Sequence, residues 1–274
     1  MGEKGGGPVY KGLGKVPDRA LLLFAALMYV FLYAPILMMV LFSFNSSRST
    51  QIWTGFSTEW YGELIRDQTI LDAFRISMIV GVTATAIATV IGTLTALALT
   101  RHSFRGKTFA DSTIYAATVM PEIVVGVSLL VFFVAAAIPL GIVTIVIAHV
   151  AFCISFVTIV VRARLSGMDR SVEEAAQDLG ANPVQTFLRV TLPLILPGVM
   201  AGALLAFTLS FDDFVITFFV SGVGSSTLPL KIYSMIKFGV SPVINALSTV
   251  VMVSTMILIL GGGRILSRRQ ENAS

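Results

Sequence analysis

Three acidic residues interrupt apolar stretches of this 274-residue chain. Glu122 follows Pro121, and Asp212 and Asp213 stand side by side between Phe211 and a further phenylalanine. An ionised carboxylate in an apolar setting costs a few kcal/mol on membrane-insertion scales, so such residues mark candidate functional groups. Lys and Arg within the same stretches do not balance these acids. A cation is therefore the ligand that they would attract.

The two adjacent aspartates do not have equivalent positions on a helix. Neighbouring residues point about 100° apart, so Asp212 and Asp213 cannot both line one path equally. One of them could instead cap a broken helix or bond to the backbone of a neighbouring segment. Phe211, Phe214 and Tyr233 could add cation–π contacts, with lipid-facing or core packing as the alternative for each ring. His149, on an apolar stretch, is more typical of a hydrogen-bonded packing residue.

A polar segment between two apolar stretches carries the signals of two capped helices. Ser171 with Glu174 three residues later has the form of a capping box. Gly180 is the residue type preferred after a helix C-terminus. A second helix start follows at Asn182, with Pro183 at the first helical position. We expect a rigid helix–turn–helix that suits a socket in a soluble partner; an ordinary amphipathic connector is the alternative.

The composition indicates that these groups belong to an integral membrane protein. The chain is 55% hydrophobic and 12% charged, with a mean hydropathy of +0.88; soluble domains carry about 25% charged residues. This excludes a secreted domain, a disordered protein and, with a net charge of only +4, a nucleic-acid-binding protein. One cysteine and two histidines predict no intrachain disulfide and no Cys/His metal cluster.

The apolar stretches predict six membrane-spanning helices, because a span needs about 20 apolar residues. We expect them at Ala20–Phe44, Ile76–Thr100, twice within Ser112–Val161 with a turn at Pro139-Leu140-Gly141, and at about Leu192–Val220 and Ser241–Gly263. The first stretch is too long for a signal peptide. The prediction is an all-α, polytopic domain over residues 20–263. A flexible N-terminus over residues 1–19 precedes it, and a tail over residues 264–274 follows.

The distribution of positive charge predicts the orientation. Fourteen of the 19 Lys and Arg residues lie in the N-terminus, in the loops after spans two and four, and in the tail. Cytoplasmic segments carry this excess, so both termini and the loop between spans four and five are expected in the cytoplasm. No internal repeat is evident, which gives no support to an inverted-repeat secondary transporter.

The polar segment resembles the EAA loop of ABC importer permeases. Its residues read Glu174-Ala175-Ala176, three residues, Gly180, nine residues and Val190-x-Leu192-Pro193, with Val190 for Ile as the one departure from the family pattern. In that family the loop, here about residues 162–193, forms a coupling helix that docks on an ATP-hydrolysing subunit. The resemblance implies that the docking residues are Glu173, Glu174, Ala175, Ala176 and Gly180.

A phosphate-binding loop of the form G-x4-G-K-[S/T] is absent from the sequence. We therefore expect a transport subunit and not an enzyme. The chain itself should hold no cofactor and no metal. ATP and Mg²⁺ would be bound by a separate ATPase, as the resemblance also implies.

Further stretches resemble the spermidine/putrescine permeases of the PotC/PotI type over about residues 20–265. They are Tyr33-Ala34-Pro35, Ser43–Ser47, Trp60-Tyr61, Phe104-Arg105-Gly106, Met120-Pro121-Glu122, Ala206–Asp213 and Leu228–Ser234. That family more often has Asp at position 122, so Glu122 keeps the charge with a longer reach. The resemblance implies a MetI-like permease of a type I importer in the bacterial inner membrane that moves polyamines. The expected path residues are Glu122, Asp212, Asp213, Phe211 and Tyr233.

The same resemblance implies the partners. They are an ABC ATPase dimer, a second related permease that usually makes the pair a heterodimer, a periplasmic substrate-binding protein and the lipid bilayer. Two alternatives stay open. The solute could be an opine, thiamine or ferric ion, or the acids could be ion sites of a secondary transporter, which leaves the EAA loop unexplained. The sequence shows neither a Ser/His pair at helical spacing nor a His-containing metal motif, so it gives no support to an intramembrane enzyme.

Overall fold

The computed structural model describes residues 18–48, 52–239 and 241–271, and these are almost entirely helical. The helices are α1 (Asp18–Phe42), α2 (Glu59–Arg66), α3 (Gln68–Arg101), α4 (Lys107–Val119), α5 (Glu122–Ala135), α6 (Ile142–Ser166), α7 (Ser171–Asp178), α8 (Pro183–Thr186), α9 (Leu192–Asp212), α10 (Val215–Val220), α11 (Leu228–Lys237) and α12 (Pro242–Glu271). A π-helical turn, Phe187–Thr191, joins α8 to α9. The all-α class is confirmed. All but the last two residues of the predicted flexible N-terminus lie outside the described ranges.

Within the described ranges, four helical segments are long and apolar enough to cross a membrane. They are Arg19–Phe42, Gln68–Arg101, Ile142–Ser166 and Pro183–Asp212, and they correspond to predicted spans one, two, four and five. A fifth crossing results if α4 and α5 count as one bent span. The predicted sixth span coincides with the shorter apolar part of α12, Pro242–Ile257. The count of six and the side of each terminus stay predictions.

Two of the predicted spans are interrupted in the structure. The chain bends by 111° between α4 and α5. Pro121 favours an extended conformation in the residue before it, and Met120 has ψ 133°. In the fifth span, α9 ends at Asp212, and Asp213 is extended with φ −65° and ψ 125° before α10 begins. The acids therefore lie at helix breaks and not in the middle of helices.

Close helix packing brings the two breaks together. A Cβ on Gly92 of α3 would lie 2.8 Å from the Cβ of Val157 on α6, so these helices approach backbone to backbone. Membrane helices associate through such small residues. A Cβ on Gly126 of α5 would lie 2.8 Å from Phe219 Cδ2 and 3.3 Å from Ile216 Cα, both of α10. The segments after the two breaks are thus in direct contact.

Candidate functional site

Asp213 stabilises the break between α9 and α10. Its Oδ1 accepts a hydrogen bond from the Ile216 amide at 3.2 Å, and its Oδ2 accepts from the amide and the hydroxyl of Thr217, both at 2.8 Å. These bonds satisfy amides that the first turn of α10 leaves free. The Asp213 side chain is only 4% exposed. Both of its oxygens are therefore engaged within the chain.

His149 of α6 connects this cap to the end of α9. Its Nε2 lies 3.2 Å from Asp213 Oδ2 and 3.0 Å from Thr217 Oγ1, and its Nδ1 lies 2.7 Å from Ser210 Oγ. The ring is 1% exposed. The prediction that His149 is a hydrogen-bonded packing residue is confirmed. Asp213 fulfils the alternative in which one of the two acids caps a broken helix.

Asp212 is the exposed member of the pair. It ends α9 and lines two neighbouring cavities of about 820 and 280 Å³. Its carboxylate has no hydrogen-bonding or ion-pair partner among the residues that the structure describes. A carboxylate at the edge of two cavities can pair with a cation that enters either one.

Aromatic rings surround the smaller cavity beside Asp212. Phe211, Phe214 and Tyr233 line it, and the rings of Phe214 and Tyr233 have their centroids 4.6 Å apart. The ring faces carry partial negative charge and attract cations within about 6 Å. The structure thus brings together three of the five predicted path residues, Asp212, Phe211 and Tyr233.

Glu122 is the exposed first residue of α5, directly after the other helix break. It does not line either of the two cavities beside Asp212. The helices that follow the two breaks, α5 and α10, are in contact at Gly126 and Ile216. Glu122 and the exposed Asp212 therefore lie in one region of the molecule, where two negative charges would favour a cation.

The larger cavity contains residues that the sequence reasoning did not identify. Phe207 stacks on Phe211, with centroids 5.7 Å apart, and Phe74 of α3 meets the edge of Phe211 at 6.4 Å. Phe207 precedes Phe211 by four residues, so their shared helix face could be predicted from the sequence. The approach of Phe74 depends on tertiary packing and carries no local signal.

The turn between α7 and α8 has the predicted capping chemistry. Gly180 has φ +90°, and the Ala181 amide donates to Ala176 O at 3.1 Å to close the C-terminus of α7. At the start of α8, Asn182 Oδ1 accepts from the Gln185 amide at 2.9 Å, and Gln185 Oε1 accepts from the Asn182 amide at 3.1 Å. The predicted C-terminal glycine and second helix start are confirmed.

The predicted capping box at Ser171 and Glu174 is wrong. Ser171 is the first residue of α7, and Arg170, at the cap position, has helical φ and ψ. Asp169 Oδ1 accepts from the Ser171 amide at 3.0 Å instead. This bond lowers the pKa of the Asp169 carboxyl. Asp169 is the local acceptor, so Glu174 is not needed for the cap.

Glu173 points into the protein. Its Oε1 accepts from Thr191 Oγ1 at 2.7 Å, and its Oε2 lies 3.0 Å from Arg101 Nε. Arg101 ends α3, and Thr191 directly precedes α9. Glu173 thus joins the EAA loop to two membrane helices, and its docking role stays a prediction.

The outer surface of the EAA loop is partly apolar. Glu174 and Ala175 are exposed, and Leu179 and Val184 are 90% and 65% exposed. The Glu174 carboxylate has no partner within the described part of the chain. Exposed apolar side chains on a loop that also presents a charge to solvent are typical of a protein interaction surface. Sequence reasoning missed Leu179, although its position next to the capping glycine was visible.

The family comparison covers two thirds of the chain. Residues 88–271 match the family described as the binding-protein-dependent transport system inner membrane component. The putrescine transport system permease protein PotI of Escherichia coli K12 is 47% identical over 231 residues, which are 82% of each protein. The spermidine/putrescine transport system permease protein PotC of the same strain is 43% identical over 86% of this chain and 90% of that protein.

Solved structures share the fold at low sequence identity. A bacterial ABC transporter involved in the import of the acidic polysaccharide alginate superposes with a TM-score of 0.70 and 17% identity, over 94% of this chain and 99% of that one. The MetNI methionine ABC transporter in an inward-facing conformation gives 0.61 at 17% identity, over 78% and 99%. The predicted MetI-like permease fold is confirmed.

Proposed function

The chain belongs to the family of binding-protein-dependent transport system inner membrane components, and we propose that it is the permease subunit of an ATP-driven importer of putrescine or spermidine. The observation that carries the proposal is the exposed Asp212 carboxylate among the rings of Phe211, Phe214 and Tyr233. The identity of 43–47% to permeases named for these polyamines supports it. The chain is an inner-membrane transport subunit and not an enzyme.

Polyamines match the chemistry of this region. They are flexible chains whose ammonium groups are separated by methylene groups. One ammonium can pair with Asp212 and approach the Tyr233 ring, a contact of about 0.5–2 kcal/mol. The methylenes can lie against apolar residues such as Leu228, and Glu122 offers a second negative charge nearby. Contacts of this strength let the solute leave again, as transport requires.

The EAA loop is the proposed site of coupling to ATP hydrolysis. Glu174 and the exposed apolar side chains of Leu179 and Val184 would dock on a separate ATPase, which binds ATP and Mg²⁺. A second related permease and a periplasmic binding protein would complete the importer. Closure of the ATPase pair would then move α7 and open the path to the periplasmic side.

The test is transport by the assembled complex in lipid vesicles. The chain is co-expressed with its ATPase, second permease and binding protein, and both putrescine uptake and ATP hydrolysis are measured. We expect uptake to require ATP and the binding protein, and hydrolysis to rise with putrescine or spermidine. Asp212→Asn should reduce uptake, whereas Glu63→Gln, the same change on the exposed face of α2, should leave it unchanged.

The alternatives predict different results in the same vesicles. Hydrolysis stimulated by thiamine, an opine or ferric ion, and not by a polyamine, would change the substrate and keep the importer. Polyamine uptake driven by an ion gradient without ATP would overturn the importer in favour of a secondary transporter.

A further inference from the structure

Three segments of the chain meet at Glu173: the end of α3, helix α7 and the turn before α9. Glu173 of α7 contacts Arg101 of α3 at 3.0 Å and Thr191 at 2.7 Å. A further bond joins the loop to α3: Arg170, which directly precedes α7, donates from Nη2 to the Thr100 carbonyl at 3.1 Å. Together these residues join the EAA loop to the end of α3 and the start of α9. We call Arg101, Glu173 and Thr191 the latch.

The latch is largely removed from water. The side chains of Arg101 and Glu173 are 11% and 15% exposed, and Thr191 is 2% exposed. Arg101 Nε and Nη2 are buried and form no aligned hydrogen bond with the described residues. The contact between Arg101 and Glu173 is therefore an ion pair, in which the carboxylate compensates the charge of the guanidinium. Loss of one member of a buried pair leaves the other charge uncompensated. The latch therefore joins the loop to α3 and α9 through a contact that is costly to break.

The start of α9 is mechanically connected to the acids at its other end. α9 runs over 21 residues from Leu192 to Asp212, a length of about 30 Å at 1.5 Å per residue. Pro197 lies within the helix without ending it. Near its far end, Ser210 is held by His149 of α6. α9 therefore links the latch to the break that presents Asp212.

We propose that Glu173 is a positioning residue that makes α3 and α9 follow the movement of the EAA loop during transport. Glu173 acts inward on the membrane helices, while its neighbour Glu174 acts outward on the ATPase. This inference rests on the proposed function, because it assumes an ATPase bound to the loop. A change in Glu173 should uncouple ATP hydrolysis from transport and leave the complex assembled.

Two changes test the latch in the reconstituted complex. Glu173→Gln keeps the size of the side chain and removes its charge, and Thr191→Val removes the hydroxyl and keeps the shape. We expect Glu173→Gln to lower the putrescine transported per ATP hydrolysed about tenfold, within the usual range of coupling between sites. Thr191→Val should lower the ratio less, and Thr191→Ser, which keeps the hydroxyl, should transport normally. The ATPase should co-purify with all three variants.

The outcomes separate the latch from the proposed function. An unchanged ratio for both Glu173→Gln and Thr191→Val, in a complex whose wild type transports, overturns the latch alone. Loss of the ATPase from the Glu173→Gln complex places Glu173 on the docking surface and also overturns it. If Glu173→Gln does not fold, the contrast between Thr191→Val and Thr191→Ser decides the question. A wild-type complex without ATP-driven uptake overturns both proposals.

Discussion

Two pairs of adjacent acids, Glu173–Glu174 and Asp212–Asp213, have the same arrangement of one bonded and one exposed carboxylate. In each pair one carboxylate is bonded within the protein and the other is exposed without a partner among the described residues. The bonded acid fixes local geometry, and that geometry determines where its neighbour is presented. Adjacent residues of the same charge are therefore not interchangeable.

The two bonded acids differ in how far their contacts reach. Asp213 bonds to residues three and four positions further along the chain, which shapes one helix break, and it meets His149 of α6 beside that break. Glu173 bonds to Thr191, 18 residues away, and to Arg101 at the end of a different membrane helix. A local cap stabilises a shape, whereas a contact between helices also connects movements. We therefore expect a change at Asp213 to act on stability, and a change at Glu173 to act on coupling in addition to its effect on stability.

The largest effect should come from the exposed acid of the first pair. Glu174→Lys reverses the charge on the surface proposed to dock on the ATPase, and an unfavourable charge contact at an interface costs several kcal/mol. Putrescine uptake should fall to background, and the chain should remain in the membrane with unchanged thermal stability. Co-purification of the ATPase measures the loss directly. Full uptake by this variant would remove the docking role of Glu174.

A large loss of stability should follow from the bonded acid of the second pair. Asp213→Ala removes the cap of α10 and leaves Thr217 and His149 without their acceptor. The expected cost is about 3 kcal/mol, from a lost cap and unsatisfied buried groups. Unfolding in detergent micelles measures it, with Asp212→Ala as the matched variant of near wild-type stability. Equal stability of the two variants would contradict the assignment of the stabilising role to Asp213 and not to Asp212.

The exposed acid of the second pair should affect transport and not stability. Asp212→Asn keeps the shape of the side chain and removes the charge that faces the cavities. We expect a roughly tenfold loss of putrescine uptake at low concentration, the size of one charged contact. A rise in the half-saturating concentration of the loaded binding protein, without any change in unfolding temperature, would be the signature. A change in stability would place Asp212 in the cap with Asp213.

The contacts that the sequence predicted are the local ones. The cap at Asn182 and Gln185 joins residues three positions apart, so residue types alone specify it. The N-terminal cap of α7 could not be predicted in this way, because Asp169 and Ser171 are both suitable cap residues. In the structure Asp169 accepts the hydrogen bond. The break at Asp213 has no Pro or Gly beside it, so the residue types do not indicate its position. The break at Pro121, in contrast, is marked by the proline.

The contacts between helices could not be predicted from the sequence. Arg101 and Glu173 are separated by 71 intervening residues, and only the packing of α3 against the loop brings them together. The same holds for His149 and Asp213. In both pairs an adjacent acid of the same type was an equally good candidate before the fold was known. Orientation within a pair depends on tertiary packing.

A smaller effect should come from the ring that faces the exposed acid. Tyr233→Leu removes a π face near Asp212 and keeps an apolar side chain, whereas Tyr233→Phe keeps the face. We expect a two- to fivefold loss of putrescine uptake for the leucine variant, in line with about 0.5–1 kcal/mol for a partly exposed cation–π contact. The phenylalanine variant should transport normally. Equal losses for both would assign the effect to the Tyr233 hydroxyl.

The smallest effect concerns Asp67, which caps α3 as Asp213 caps α10 but is only half-buried. Its Oδ1 accepts from the hydroxyl and amide of Thr69 at 2.7 and 2.8 Å, and the hydroxyl bond in particular lowers the pKa of the Asp67 carboxyl. A lowered folded-state pKa contributes stability at neutral pH that is lost as the pH falls from the ordinary aspartate value through the lowered one.

Asn also caps helices well, so Asp67→Asn should cost only a few tenths of a kcal/mol at pH 7. Unfolding measured at pH 7 and pH 3 should show this difference vanish at the lower pH. A difference that persists at pH 3 would mean that the cap acts through its shape and not through its charge.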